Sequence, residues 1–239
     1  MSSQSDPIES RADDDRDLYD IATWEERTSL DGLSVALHWF ITRSAKAFVV
    51  LVALLGLLTV LGSIGLGLVF DPAVAMLVGL SAVPALGLAA YVYVSDVTSG
   101  EPLSLLVATF LLSILTATFA AILNSVAQPY FQRFGFLGMV AFFFVIVGPI
   151  EETVKLLAVR LYAYTDARFD AVIDGAVYGA IAGLGFAVIE NLVYIAQSVD
   201  LGELTLGIAA LGAGDGIAAL RALAGPGYVI YSAFAGYYL

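Results

Sequence analysis

The chain has 239 residues, 60% of them hydrophobic and 13% charged, and a mean hydropathy of +0.90. That is more apolar surface than one soluble core of this length can bury, and it predicts an all-α, polytopic helix bundle integral to the cell membrane, with the lipid bilayer as its surroundings. A net charge of -12 leaves no basic face for nucleic acid, and the absence of cysteine excludes disulfides, thiolate metal sites and a cysteine nucleophile.

Residues 1–34 hold nearly half of the 22 acidic residues, including Asp13-Asp14-Asp15, and little periodicity. They are expected to form an acidic, disordered segment in which Tyr19, Ile21, Trp24 and Leu30 make at most one short amphipathic piece. The scarcity of lysine, with Lys46 and Lys155 alone, resembles the composition of proteins from halophilic archaea. A basic start followed at once by an apolar run is missing, so no secretory signal peptide is expected and insertion falls to the first span.

Residues 35–239 are expected to form the membrane domain, with spans at 47–70, 73–94, 103–126, 134–164, 171–197 and 221–239. Asp71-Pro72 is expected to end the first, Pro84 to kink the second, and Gln128-Pro129-Tyr130 to close the third. The fourth reads as one tilted helix or one kinked at Pro149. In the fifth, Gly175, Gly179 and Gly183 recur every four residues, a face that lets another helix approach closely, and Glu190 falls almost on that face. Gly212 to Gly216 reads as loop. The last stretch, interrupted by Gly225-Pro226-Gly227 and stopping at Leu239, is expected to be incomplete or broken. Arg43, Lys46, Arg160 and Arg168 then lie on one side, which predicts a cytoplasmic N-terminus.

Three carboxylates interrupt these runs: Glu151 and Glu152 in Gly148-Pro149-Ile150-Glu151-Glu152-Thr153-Val154-Lys155, and Glu190 before Asn191. An ionised side chain at the centre of a span costs about 2.5–3.5 kcal/mol on insertion scales, so each needs a partner, a proton or a function. Glu151 and Lys155 are four apart in the favourable order, and an ion pair would account for both. It would not account for Glu152, about 100° around the helix, or for Glu190. Glu190 could alternatively be a protonated packing residue bonded to Asn191 or a carbonyl. Three carboxylates together in low dielectric imply a raised pKa or a metal ion, and such a set can activate water for amide hydrolysis. Counted from the turn at 165–170, Glu151 and Glu190 lie about 20 and about 30 Å along their helices, a mismatch that tilt or a kink must absorb. Phe186 is expected to pack one turn before Glu190, Asp174 to cap its helix or face water, and His38 to sit at the interface.

Glu151-Glu152-x-x-Lys155, then Phe186-x-x-x-Glu190-Asn191 on the next helix, then Arg221, Pro226-Gly227 and Ser232-x-x-x-Gly236-Tyr237-Tyr238, resembles the PrsW family of intramembrane proteases. The resemblance runs from about Val147 to Leu239. It implies cleavage of a membrane-embedded or membrane-tethered protein substrate by water that Glu151 and Glu152 activate, directly or through a divalent metal such as zinc. Glu190 would be a second acid/base or ligand, Lys155 would balance charge, and Asn191 would donate to the oxyanion. Where the family carries a histidine after the Pro-Gly pair, this chain has Tyr228, whose hydroxyl can donate a hydrogen bond but cannot replace an imidazole base. The family also continues into further spans with a second histidine motif, whereas this sequence ends at Leu239, so one expectation is a site that is assembled but inactive. Other readings of the same carboxylates are a small transporter or proton relay, recognisable by gradient-dependent flux, and a membrane adaptor that binds substrates without cutting them.

Overall fold

The computed structural model describes residues 28–97, 100–199 and 213–239. Two compact units divide the chain, Met1–Phe48 and Val49–Leu239. In the first, helix α1 (Ser29–Ile64) begins inside the stretch expected to be unstructured. The reason is local: Thr28 and Asp31 form a reciprocal capping box, Thr28 N to Asp31 Oδ2 at 2.9 Å and Asp31 N to Thr28 Oγ1 at 3.2 Å. The acidic stretch before Thr28 lies outside the described residues.

Val49–Leu239 consists of helices and the turns and loops that join them, with no strand among the described residues. It contains the rest of α1, then α2 (Leu66–Val69), α3 (Pro72–Ser95), α4 (Leu103–Gln132), α5 (Gly135–Ala141), a π-helical stretch (Phe142–Val147), α6 (Gly148–Leu161), α7 (Val172–Ser198) and α8 (Ala213–Tyr237). Six helical segments among the described residues are long and apolar enough to cross a membrane. Large apolar side chains such as Phe136, Phe144 and Leu223 are about four-fifths exposed, as expected where the outer surface meets lipid. The chain is an integral membrane protein of all-α, polytopic architecture.

Several boundaries move for physical reasons. α1 ends at Ile64 rather than Phe70, because Gly65 takes φ 91°, and Asp71 instead starts α3 by accepting from Ala73 N at 2.8 Å. α4 runs through Pro129 to Gln132; a proline in the last turn forfeits little of the hydrogen-bond ladder. α8 starts at Ala213 and, beyond Gly216 with its φ of 75°, runs unbroken through Gly225-Pro226-Gly227 to Tyr237, where a broken span was expected. Gly225 serves close packing instead of termination: a Cβ there would lie 3.1 Å from Ala85 Cβ. Where no water competes for the backbone, the helical bonds persist across it.

The fourth span is three segments in sequence. Pro149 has no N–H, and its ring needs room beside the preceding turn. The π-helical stretch supplies that room: Gly148 N–H bonds to Phe143 O, five residues back, and Pro149 enters α6 within its first turn. The glutamate pair therefore begins a fresh α-helix directly behind a widened turn.

α7 is the centre of this unit. Of its apolar window 78% is buried, against 11% for Ala47–Ile64. α3, α4, α6 and α8 all pack on it. Side-chain hydroxyls tie neighbouring helices, Thr116 Oγ1 to Val154 O at 3.0 Å and Thr118 Oγ1 to Ala53 O at 3.1 Å.

Candidate active site

The glycine stripe of α7 packs on α8. A Cβ on Gly175 would lie 2.9 Å from the Gly236 carbonyl carbon, one on Gly179 2.9 Å from that of Ser232, and one on Gly183 2.7 Å from that of Tyr228. Each step of four up α7 is matched by a step of four down α8, so the two helices are antiparallel in fixed register. Continuing that register seven residues beyond Gly183 and Tyr228 reaches Glu190 and Arg221. They form the ion pair the register predicts, Arg221 Nη2 to Glu190 Oε2 at 2.6 Å.

Arg221 is the residue that reading by motif left without a role. Its Nε donates to Asn191 Oδ1 at 2.9 Å and its Nη2 to the Tyr228 hydroxyl at 3.1 Å, while its guanidinium carbon lies 4.5 Å from the centre of the Tyr194 ring. The Tyr228 hydroxyl in turn donates to Glu190 Oε2. Asn191, fully buried, donates through Nδ2 to Ser81 Oγ at 2.8 Å. Both ends of its amide are therefore engaged within the helix packing, and its place is beneath Arg221 rather than in the cleft.

Lys155 is 1% exposed and lies between both glutamates of α6. It is closer to Glu152, 2.7 Å from Oε1, than to Glu151, 3.7 Å from Oε2. The intrahelical pair expected for Glu151 is thus mainly a pair with Glu152, whose other oxygen accepts from Ser232 Oγ of α8 at 3.1 Å. The ammonium also lies 4.4 Å from the Phe186 ring centre and 4.6 Å from that of Tyr228. Phe186 is therefore a packing residue that forms one wall of the lysine's enclosure, with cation–π attraction added.

The site holds its charge with partners: two cations against three carboxylates leave one formal negative charge. Glu151 is the glutamate least committed, with only the longer contact to Lys155. It lines a cleft of about 370 Å³ together with Phe186, Glu190 and Tyr194 and with Asn124 and Gln128 of α4. Despite the mismatch in depth along their helices, Glu151 and Glu190 face one space. Asp174, expected to cap or face water, is 1% exposed and accepts from Asp170 N and Ala171 N, so it ties down the start of α7 from within.

Removing Arg221 alone should be costly. Arg221→Met leaves Asn191 Oδ1 without its donor and Glu190 with the Tyr228 hydroxyl but no cation; breaking a buried ion pair in this way costs about 3–5 kcal/mol, an upper bound for this half-buried one. Thermal unfolding in detergent should show that loss, and Glu190→Gln in the same chain should restore part of it by removing the stranded charge.

The model for the PrsW family intramembrane metalloprotease matches residues 101–239, which contain every residue of this constellation except Ser81. Among curated relatives, Protease PrsW of Bacillus subtilis is 31% identical over 47% of this chain and 50% of its own length. Protease PrsW of Geobacillus kaustophilus is 30% identical over 50% and 52%, and that of Clostridioides difficile 29% over 58% and 54%. The chain spans about half the length of the curated relatives it matches. No solved structure matches it. With more than half of its residues under the family model, the chain belongs to the PrsW family.

Proposed function

We infer that this chain is the scaffold of an intramembrane endopeptidase that cuts a membrane-embedded or membrane-tethered protein, with Glu151 as the base that activates water. The observation that carries this reading is the asymmetry within the glutamate pair: Glu152 is held by Lys155 and Ser232, whereas Glu151 lines the cleft with only the 3.7 Å contact to Lys155.

The family's description names a metal, and the residues present do not fit one at these glutamates. Catalytic zinc takes three protein ligands, usually with histidine among them. Residues 49–239 contain no histidine, and Glu152 and Glu190 are committed to Lys155 and Arg221. Among the described residues, the group of three acidic donors close enough to share one ion lies elsewhere. The groups at hand for the reaction at this cleft are therefore this chain's own side chains.

A water held by Glu151 loses a proton to its carboxylate as the oxygen adds to the scissile carbonyl carbon. The C–N bond then breaks, and the same proton passes from Glu151 to the leaving amine. Lys155 balances charge and fixes Glu152. Arg221 and Tyr228 hold Glu190 at the other side of the cleft, and Asn191 positions Arg221. Asn124 and Gln128, one helical turn apart, offer amide groups to an unwound substrate backbone.

The test is reconstitution of the full chain in liposomes with tethered single-span reporter proteins, scored by mass spectrometry of the fragments. Cleavage inside or beside the reporter's span, lost in Glu151→Gln, is the expected result. Retention of reporters without cutting, by the chain and by Tyr228→His alike, would replace the endopeptidase with a substrate-binding adaptor.

A further inference from the structure

A second group of carboxylates gathers at the ends of three helices, and none of the residues lining the Glu151 cleft belongs to it. Asp96 is the C-cap of α3, Glu101 directly precedes the Pro102 cap of α4, and Asp174 lies in the first turn of α7. One ligand oxygen from each falls within 4.8 Å of the others. Glu101 is 4% exposed. The Tyr178 hydroxyl donates to its Oε2, which leaves Oε1, enclosed and without a hydrogen-bond partner, as the oxygen open to a ligand.

Three carboxylate oxygens this close repel one another, and a cation between them relieves that repulsion. Asp96, for its part, stands at the negative end of the α3 dipole, where a cation is favoured and a carboxylate is not.

The geometry points to a binding site for a hard divalent cation of the calcium type, coordinated by Asp96, Glu101 and Asp174, which pins the α3–α4 connection to the start of α7. Calcium binds oxygens at about 2.3–2.6 Å, so two ligands on opposite sides of one ion lie no more than about 5 Å apart, and these three satisfy that limit. The donors are all carboxylate oxygens, a set that suits calcium and magnesium rather than the nitrogen- and sulfur-seeking metals. Tyr178 would orient Glu101 from behind, as outer hydrogen bonds do for metal ligands. With three protein side chains as ligands, affinity belongs in the weak range of about 10⁻⁴–10⁻³ M. The site stands apart from the proposed peptidase reading, and either can fail without the other.

The full chain, purified in detergent and stripped with EDTA, is titrated with calcium chloride by thermal unfolding. It is also titrated with terbium under tyrosine excitation, Tyr178 being bonded to Glu101. A saturable rise in the unfolding midpoint and sensitised terbium emission displaced by calcium are expected. Glu101→Gln and Asp96→Asn should each weaken both responses about ten-fold or more, since affinity follows the number of charged ligands. Asp96→Asn leaves the Asp174 backbone bonds intact, and its unfolding midpoint without calcium separates any loss of fold from loss of the response. Glu151→Gln should change neither response. Responses that survive both substitutions would place the ion elsewhere, in the acidic segment or the glutamate cleft, and overturn the site. No response to calcium overturns it too, and a raised midpoint in Glu101→Gln would then identify a proton as the occupant.

Discussion

Glu151→Gln is expected to lower cleavage of a tethered substrate by about 10²–10⁴-fold, the range attributable to one general base. The amide keeps the shape of the carboxylate and loses its basicity. Little else should change, because Lys155 keeps its 2.7 Å contact with Glu152 and gives up only the 3.7 Å contact with Glu151. The loss should therefore appear in kcat with KM nearly unchanged, and the unfolding midpoint should move little. Glu152→Gln should behave differently. It disturbs the side chain that holds Lys155 and Ser232 together, so stability and rate should fall in step. Two rates separate the roles: a Glu151→Gln protein that cuts as fast as the parent removes Glu151 as the base and with it the proposed mechanism.

The spans were legible because a run of about 20 apolar residues has few other uses, and the glutamate pair because charge inside such a run demands an explanation. The glycine stripe was legible as a contact face, but the sequence alone did not name its partner. That needed the matching small residues of α8, where Gly236 and Ser232 oppose Gly175 and Gly179. Given the register, Arg221 opposite Glu190 follows, and here lay the missed signal: a basic residue the same number of steps down α8 as the acid stands up α7. The π-helical stretch was less accessible. Pro149 announces a disturbance, yet whether the chain kinks or widens depends on packing around Phe142 and Phe143. The Asp96, Glu101 and Asp174 group lay beyond sequence reasoning for a different cause: its members come from three separate helix ends, and no spacing rule joins them. Lys155 shows the limit of local rules. Helical spacing favours Glu151, but Ser232 of α8 fixes Glu152 from the far side and turns the lysine toward it.

The second large effect should come from a residue with no functional group. Gly179→Ala adds a Cβ 3.2 Å from Ala233 Cα and 2.9 Å from the Ser232 carbonyl carbon, still closer to the carbonyl oxygen. Backbone is the obstacle, so no side chain can rotate away and α7 must part from α8. Overpacking of a close interface costs about 1–3 kcal/mol, and Gly179→Val should exceed that range. The damage should not stay local, because the same two helices align Tyr228 and Arg221 with Glu190 and carry Ser232 to Glu152. Any separation at Gly179 pulls on three of the contacts that define the site. Thermal unfolding in detergent and cleavage rate should therefore fall together. Gly79→Ala is the matched control: a Cβ there meets nothing within 4 Å, and the helical alanine should be neutral or stabilising by about 0.4–1 kcal/mol. Equal behaviour of the two variants would mean that the α7–α8 contact does not set the positions of the glutamates. A selective collapse at Gly179 would show that the carboxylates depend on a backbone-to-backbone contact several turns away, in which the absence of a side chain is the requirement.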